Sequence, residues 1–202
     1  MKISTSMHYG QSYIGATKEI VEMEKAGLDC VWLAEAYSFD AVSAMGYVAA
    51  KTERVTIASG ILNIYSRTPT LLAMTAAGID ALSEGRCMLG LGASGPQVIE
   101  GFHGMPYAKP LTRTKEIIQI CRSAWRREPL VYDGNVFTLP LPPDQGTGLG
   151  KPLKLINHPV REHVPIFWAS LMGLSVTATA EHADGWLPIF FDPEKFHNVW
   201  GE

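Results

Sequence analysis

A parallel α/β fold, either doubly wound or closed into a (β/α)8 barrel, is predicted by two features of the chain. Short apolar runs alternate with stripes of helical period from the first residues onward, and the connections between them are short. Two successive strand candidates, 55–59 and 87–91, each run into permissive, polar backbone: 60–69 after the first and Gly92-Ala93-Ser94-Gly95-Pro96 after the second. In a parallel sheet these exits lie side by side at one rim, which is where ligands bind. A cofactor pocket is expected there.

The elements follow in order. Residues 3–8 read as a strand, and Ala16, Ile20, Met23 and Gly27 then recur at helical spacing, with Gly27 as the stop. Residues 30–34 form the second strand, Asp40 caps a helix running to about Lys51, and 55–59 is the third strand. Leu72, Ala76, Ile79 and Leu82 stripe the next helix as far as Gly85, before the fourth strand. Ile117, Ile120, Cys121, Ala124 and Trp125 keep the spacing of a core-facing helix. Residues 130–165 break the alternation. There 131–139 reads as a hairpin around Asp133-Gly134-Asn135, and a Pro/Gly-rich loop leads on to 153–156. This segment is read as an insertion after the fourth helix, within a single domain covering 1–202. Strand 166–169, helix 175–183 and strand 185–189 complete about six βα units.

Of the two architectures the barrel is favoured, because no GxGxxG fingerprint is present: Pro96 follows Gly95 at once. A complete barrel takes about 250 residues and eight strands, so the chain is read as a truncated or shortened one. Unpaired strand edges would then favour a homo-oligomer.

Composition excludes several classes. The 202 residues are 47% apolar and 18% charged, enough for one well-buried domain, and the net charge of -3 comes without a basic block. Neither nucleic acid nor an anionic membrane is an expected partner; a small molecule is. No signal-type apolar region or membrane-spanning run occurs, so a cytoplasmic location is expected. Cys30, Cys87 and Cys121 sit inside apolar patterns and read as reduced core cysteines. His103, His158, His163, His182 and His197 lack ligand spacing, so no metal is expected. Ser94 lacks the second glycine of a GxSxG elbow, which removes hydrolase chemistry.

Four segments taken together resemble the bacterial luciferase-like flavin and deazaflavin oxidoreductases, and within them the branch using coenzyme F420. They are Trp32-Leu33-Ala34-Glu35-Ala36-Tyr37, Ser59-Gly60-Ile61-Leu62-Asn63 with Arg67-Thr68-Pro69, Leu89-Gly90-Leu91-Gly92-Ala93-Ser94-Gly95-Pro96-Gln97-Val98, and Ala183-Asp184-Gly185-Trp186-Leu187-Pro188. The resemblance implies a TIM-like (β/α)8 barrel of the luciferase-like type with an insertion between its fourth and fifth units. It also implies a bulge after the third strand whose non-proline cis peptide, here Gly60-Ile61, supports one face of the deazaflavin ring.

The cofactor contacts implied are Glu35, Ser59, Gly60, Ile61, Asn63, Ser94, Ala169, Ser170 and Gly173, the helix after Ser170 and Gly173 offering its first amides to the coenzyme phosphate. Read as residues, Glu35 is equally an end-of-strand charge or a helix-capping partner, and Asn63 either meets a pyrimidine edge or stabilises a turn. His8 and Tyr9, after the first strand, are the candidate catalytic proton carriers. The activity implied is hydride transfer between F420 and a small organic substrate. Its alternatives are an FMN-dependent monooxygenase using molecular oxygen and a shortened, non-catalytic flavin-binding protein. Three departures separate the chain from the sugar-phosphate dehydrogenases and other relatives: Ala36 replaces a His, Pro96 an acid, and Met172-Gly173-Leu174 stands where many have Gly-Pro-Lys. The last removes a cation from the implied phosphate site.

Overall fold

The computed structural model describes residues 1–7, 10, 12–189 and 191–200. Its first half runs β1 (Ser4–Met7), α1 (Tyr13–Lys25), β2 (Cys30–Leu33), α2 (Ala41–Ala49), β3 (Thr56–Ser59), β4 (Leu62–Asn63), α3 (Pro69–Leu82) and β5 (Cys87–Gly92). The second half runs α4 (Pro96–Gly101), α5 (Pro110–Trp125), β6 (Tyr132–Asp133), β7 (Thr138–Leu139), β8 (Ile166–Ala169), α6 (Gly173–His182), β9 (Gly185–Trp186) and α7 (Phe196–Trp200).

One sheet carries the chain in the order β1-β2-β3-β5-β8-β9, with β4 also paired to β5, and each of these pairs is parallel. Sequential order without reversal is the winding of a barrel wall; a doubly wound sheet would reverse direction at a switch point. The C-terminal ends of all these strands therefore share one rim. The hairpin β6-β7 is a separate antiparallel pair.

Alternation along the strands separates two faces. Val31, Leu33, Ile57, Leu89, Leu91 and Ile166 are at most 2% exposed. On the other parity Trp32, Thr56, Met88 and Phe167 are half-buried. The helices cover the first face. There α5 packs on α3, with Trp125 fully buried and its Nε1 donating to the Ala73 carbonyl at 3.0 Å. On the second face Trp32 and Phe167 meet edge to face at 5.4 Å. The three cysteines are buried and free, and burial pushes their thiols up to about 12, so they stay protonated.

Two stripe positions differ from the sequence reading. Leu82 is exposed at the end of α3. Met23 is also exposed, and its neighbour Glu24 is buried instead. The Glu24 carboxylate accepts the backbone N–H groups of Glu53, Arg54 and Val55, the last two at 2.7 Å, tying the end of α1 to the entrance of β3. Strand 185–189 is confined to Gly185–Trp186, and within the insertion the Leu153 carbonyl accepts the Leu130 N–H at 2.9 Å. Asp40 caps α2 as expected, its side chain accepting the Ser43 N–H at 2.8 Å. Pro96, instead of blocking a helix, opens α4 from its first turn, where no N–H is needed.

Burial pushes the Glu24 pKa up, but the three amides together with the Arg86 charge outweigh it and hold the carboxyl below its ordinary value. A depressed folded-state pKa gives stability that is present above the unfolded value and lost as pH falls through the folded one. Glu24→Gln should therefore cost about 1–3 kcal/mol at neutral pH and flatten the acid limb of the stability profile. Urea denaturation between pH 7 and the acid limb checks both.

Candidate functional site

The third strand is broken by a bulge where it leaves the sheet. Ile57 and Ala58 pair with Cys87 and Met88, whereas Leu62 and Asn63 pair with Leu91 and Gly92. Four steps on one strand thus match three on the other, the signature of one extra residue. Inside this gap the Ser59 hydroxyl stands in for the missing ladder, donating to the Gly90 carbonyl at 2.9 Å and accepting the Gly90 N–H at 2.8 Å. Gly90 has no substitute there, because a Cβ would lie 1.9 Å from the Ser59 carbonyl oxygen. The Gly60-Ile61 peptide bond is cis, at the position the resemblance implied.

The bulge delivers Ile61 to a cavity of about 580 Å³ at the strand exits. That volume is within the range of small-molecule sites. Gly92 forms part of its wall, and a Cβ there would sit 2.7 Å from Ile61 Cδ1 and 3.1 Å from the Ala169 Cβ. Trp168, Leu111 and Leu187 add apolar wall. Ser94 turns the chain with a left-handed φ of 57°, its carbonyl accepts the Tyr107 hydroxyl at 3.3 Å, and its own hydroxyl makes no hydrogen bond among the described residues. Ser170 also lines the cavity, but its hydroxyl is bound to Thr179 Oγ1 at 2.8 Å and its carbonyl accepts Trp186 Nε1 at 2.8 Å.

The expected site residues thus separate into two groups. Ile61, Ser94, Ala169 and Ser170 converge on the cavity, with Gly60 preceding Ile61 and Gly173 opening α6 one residue beyond the lining Met172. Three others serve the framework around it. Ser59 is fully buried in the bulge. Asn63 Oδ1 accepts the Tyr65 and Ser66 N–H groups at 3.0 and 2.8 Å, which is the turn-stabilising alternative.

Glu35 belongs to a neighbouring cleft of about 330 Å³, where Arg67 grips it bidentately at 2.6 and 2.8 Å. Its Oε1 also accepts the Ala41 N–H at 3.2 Å, at the first residue of α2. Arg67 reaches Asp40 as well, at 2.7 Å, and its charged form is favoured first by the hydrogen bonds to Glu35. His8 and Tyr9 lie outside the described residues. Sequence reading missed Gly92 as a site residue, although its place beside Ser94 at a strand exit was a usable signal.

Comparison with known proteins identifies the family and the fold. The family described as Luciferase-like monooxygenase matches residues 1–200. A Mycobacterium tuberculosis protein provisionally named coenzyme F420-dependent oxidoreductase is 44% identical over 184 residues, covering 90% of this chain and 53% of that protein. The 5,10-methylenetetrahydromethanopterin reductase of Archaeoglobus fulgidus is 32% identical over 115 residues, 56% of this chain and 34% of the reductase. This chain therefore spans about half the length, or less, of these curated relatives. Among solved structures, the coenzyme F420-dependent tetrahydromethanopterin reductase of Methanopyrus kandleri superposes with a TM-score of 0.85 at 17% identity, over 98% of this chain and 58% of that one. At such low identity the superposition speaks to fold alone.

Ser59→Ala should cost about 1–3 kcal/mol, because it strands the buried N–H and C=O of Gly90, and Gly90→Ala should cost more than Ser59→Ala. Denaturant midpoints of the two variants against the parent check the ranking.

Proposed function

Since this chain belongs to the luciferase-like monooxygenase family, we propose that its rim cavity seats the ring of a deazaflavin, coenzyme F420, for hydride exchange with a small organic substrate. The observation that carries this reading is the pairing of Ile61 with Gly92. The bulge holds Ile61 in the cavity wall, and the missing Cβ at Gly92 leaves space that any other residue would fill. The 44% identical relative, whose provisional name specifies the same coenzyme, supports the choice of ring.

When bound, the deazaflavin supplies a ring carbon that accepts or gives hydride, chemistry that belongs to the coenzyme and not to the side chains. The protein's part is to position and to exclude. Ile61 would back one face of the ring, and Trp168, Leu111 and Leu187 would keep water away. The Ser94 hydroxyl, uncommitted, would meet a polar edge. Ser170 is held in place by Thr179, so that α6, opening at Gly173, can turn its first amides toward an anionic group. A proton at the substrate would be handled by His8 or Tyr9, which follow β1 in the chain.

Anaerobic titration of the protein with F420 and, separately, with FMN tests the reading. Saturable binding of F420, weakened at least tenfold by Gly92→Ala in a protein that keeps its melting temperature within a few degrees, is the expected result. Failure to bind F420, or binding indifferent to Gly92→Ala, overturns it; preference for FMN would assign the flavin alternative.

A further inference from the structure

We propose that a second cavity at the same rim, behind the tyrosine pair Tyr65 and Tyr107, is a binding site for a carboxylate or phosphate oxyanion, built on Arg113 and His103. This cavity encloses about 440 Å³, and its lining includes Tyr65, Arg67, Thr68, His103, Arg113 and Phe137. It borders the larger cavity: the Tyr65 and Tyr107 rings stack at 5.2 Å, with Tyr65 on one side and Tyr107 lining the other.

Arg113 is held ready there. Its guanidinium carbon lies 4.7 Å from the Tyr65 ring centre and 4.9 Å from that of Phe137, so two aromatic rings clasp the cation. Both rings are themselves anchored. The Tyr65 hydroxyl donates to the Ala108 carbonyl at 3.0 Å. Phe137 belongs to the β6-β7 hairpin, which the buried Glu116 carboxylate fastens to α5 by accepting the N–H groups of Asn135, Val136 and Phe137 at 2.7, 3.1 and 2.9 Å. Gly134 allows that approach, since a Cβ would meet Glu116 Oε2 at 2.5 Å.

What is missing is a hydrogen-bonded counter-ion: the Glu116 charge acts on Arg113 from a distance, but its oxygens go to the hairpin amides. Among the described residues no hydrogen bond or ion pair engages the Arg113 guanidinium, and its Nε and the His103 Nε2 are both sealed from solvent without a partner. The other cation in the lining, Arg67, is already committed to Glu35 and Asp40, and Glu116 is spent on the hairpin amides. Burial lowers the Arg113 pKa, outweighing the opposing influence of the Glu116 charge on the same helix. A largely buried cation without a hydrogen-bonded counter-ion is uncommon in folded proteins and is relieved by a ligand of opposite charge. A planar, rigidly oriented guanidinium suits the paired oxygens of a carboxylate or phosphate. The oxyanion would come either free from solution or as the charged end of a molecule whose body occupies the larger cavity.

Inorganic phosphate titrated into the full chain, followed through the arginine Nε–H resonances, tests the site without any ring ligand. Failure here therefore leaves the deazaflavin reading standing, and failure of that reading leaves this one. The Arg113 resonance should shift saturably, with affinity falling at least tenfold in Arg113→Gln and at least threefold in His103→Ala, and falling with added salt. If Arg113→Gln does not fold, the parent's Arg113 resonance and the His103→Ala variant carry the test. A resonance unmoved by phosphate, or affinity unchanged in His103→Ala, overturns the proposal. Displacement of the phosphate by F420 would assign the anion to the coenzyme, and its persistence would assign the site to a free oxyanion; either result supports the site.

Discussion

The rim depends on the seam between β3 and β5, where a serine hydroxyl replaces a rung of the sheet. A parallel ladder that continued unbroken past Ala58 would leave Ile61 in register with its neighbours and without access to the cavity. The bulge re-aims it, at the cost of leaving the N–H and C=O of Gly90 without backbone partners. Ser59 satisfies both, and it can do so only because Gly90 has no side chain to keep the two strands apart. Gly92, one step further on, performs a related service on the cavity side, where Ile61 and Ala169 close over it. Two glycines of one strand thus have different duties: one lets the backbones meet, and the other keeps space open.

A second principle recurs away from the seam. Three buried acids, Glu24 on α1, Asp80 on α3 and Glu116 on α5, each receive backbone N–H groups from a segment later in the chain. Asp80 accepts the Cys87 N–H at 3.1 Å and pairs with Arg161, pinning part of the long segment before β8 to the base of β5. Each carboxylate would be costly in the core if left alone, and each is covered by charge-assisted hydrogen bonds that fasten a loop to a helix. Glu116 extends this to function by setting Phe137 against Arg113. The loops that shape the second cavity are therefore fixed from beneath, by the face of the sheet that carries the helices.

Much of this architecture was legible in the residue pattern. The alternating strand and helix signals predicted the wound parallel sheet, Asp40 was recognisable as a cap, and Ile117, Ile120, Cys121, Ala124 and Trp125 are all buried as their spacing required. The hairpin around Gly134 was also readable from its turn residues. The misreadings fall at element ends and at charged positions inside stripes. Leu82 and Met23 fit the period but are exposed, while Glu24 breaks the hydrophobic pattern because its partners lie about thirty residues ahead.

By itself the sequence determined which segments are strands and helices, that they wind in order, and which strand exits gather at the rim, because these follow from local period, capping and turn chemistry. Tertiary structure alone decided how each polar side chain is used. Glu35 and Asn63 looked as available as Ser94, yet Arg67, 32 residues from Glu35, and two turn amides take them up. Arg113 gave no signal at all until the fold set two rings against it and left its guanidinium without a hydrogen-bonded partner among the described residues. The physical reason is that hydrogen bonds and ion pairs are satisfied by whichever partner the fold brings within reach, and that partner is seldom near in the chain.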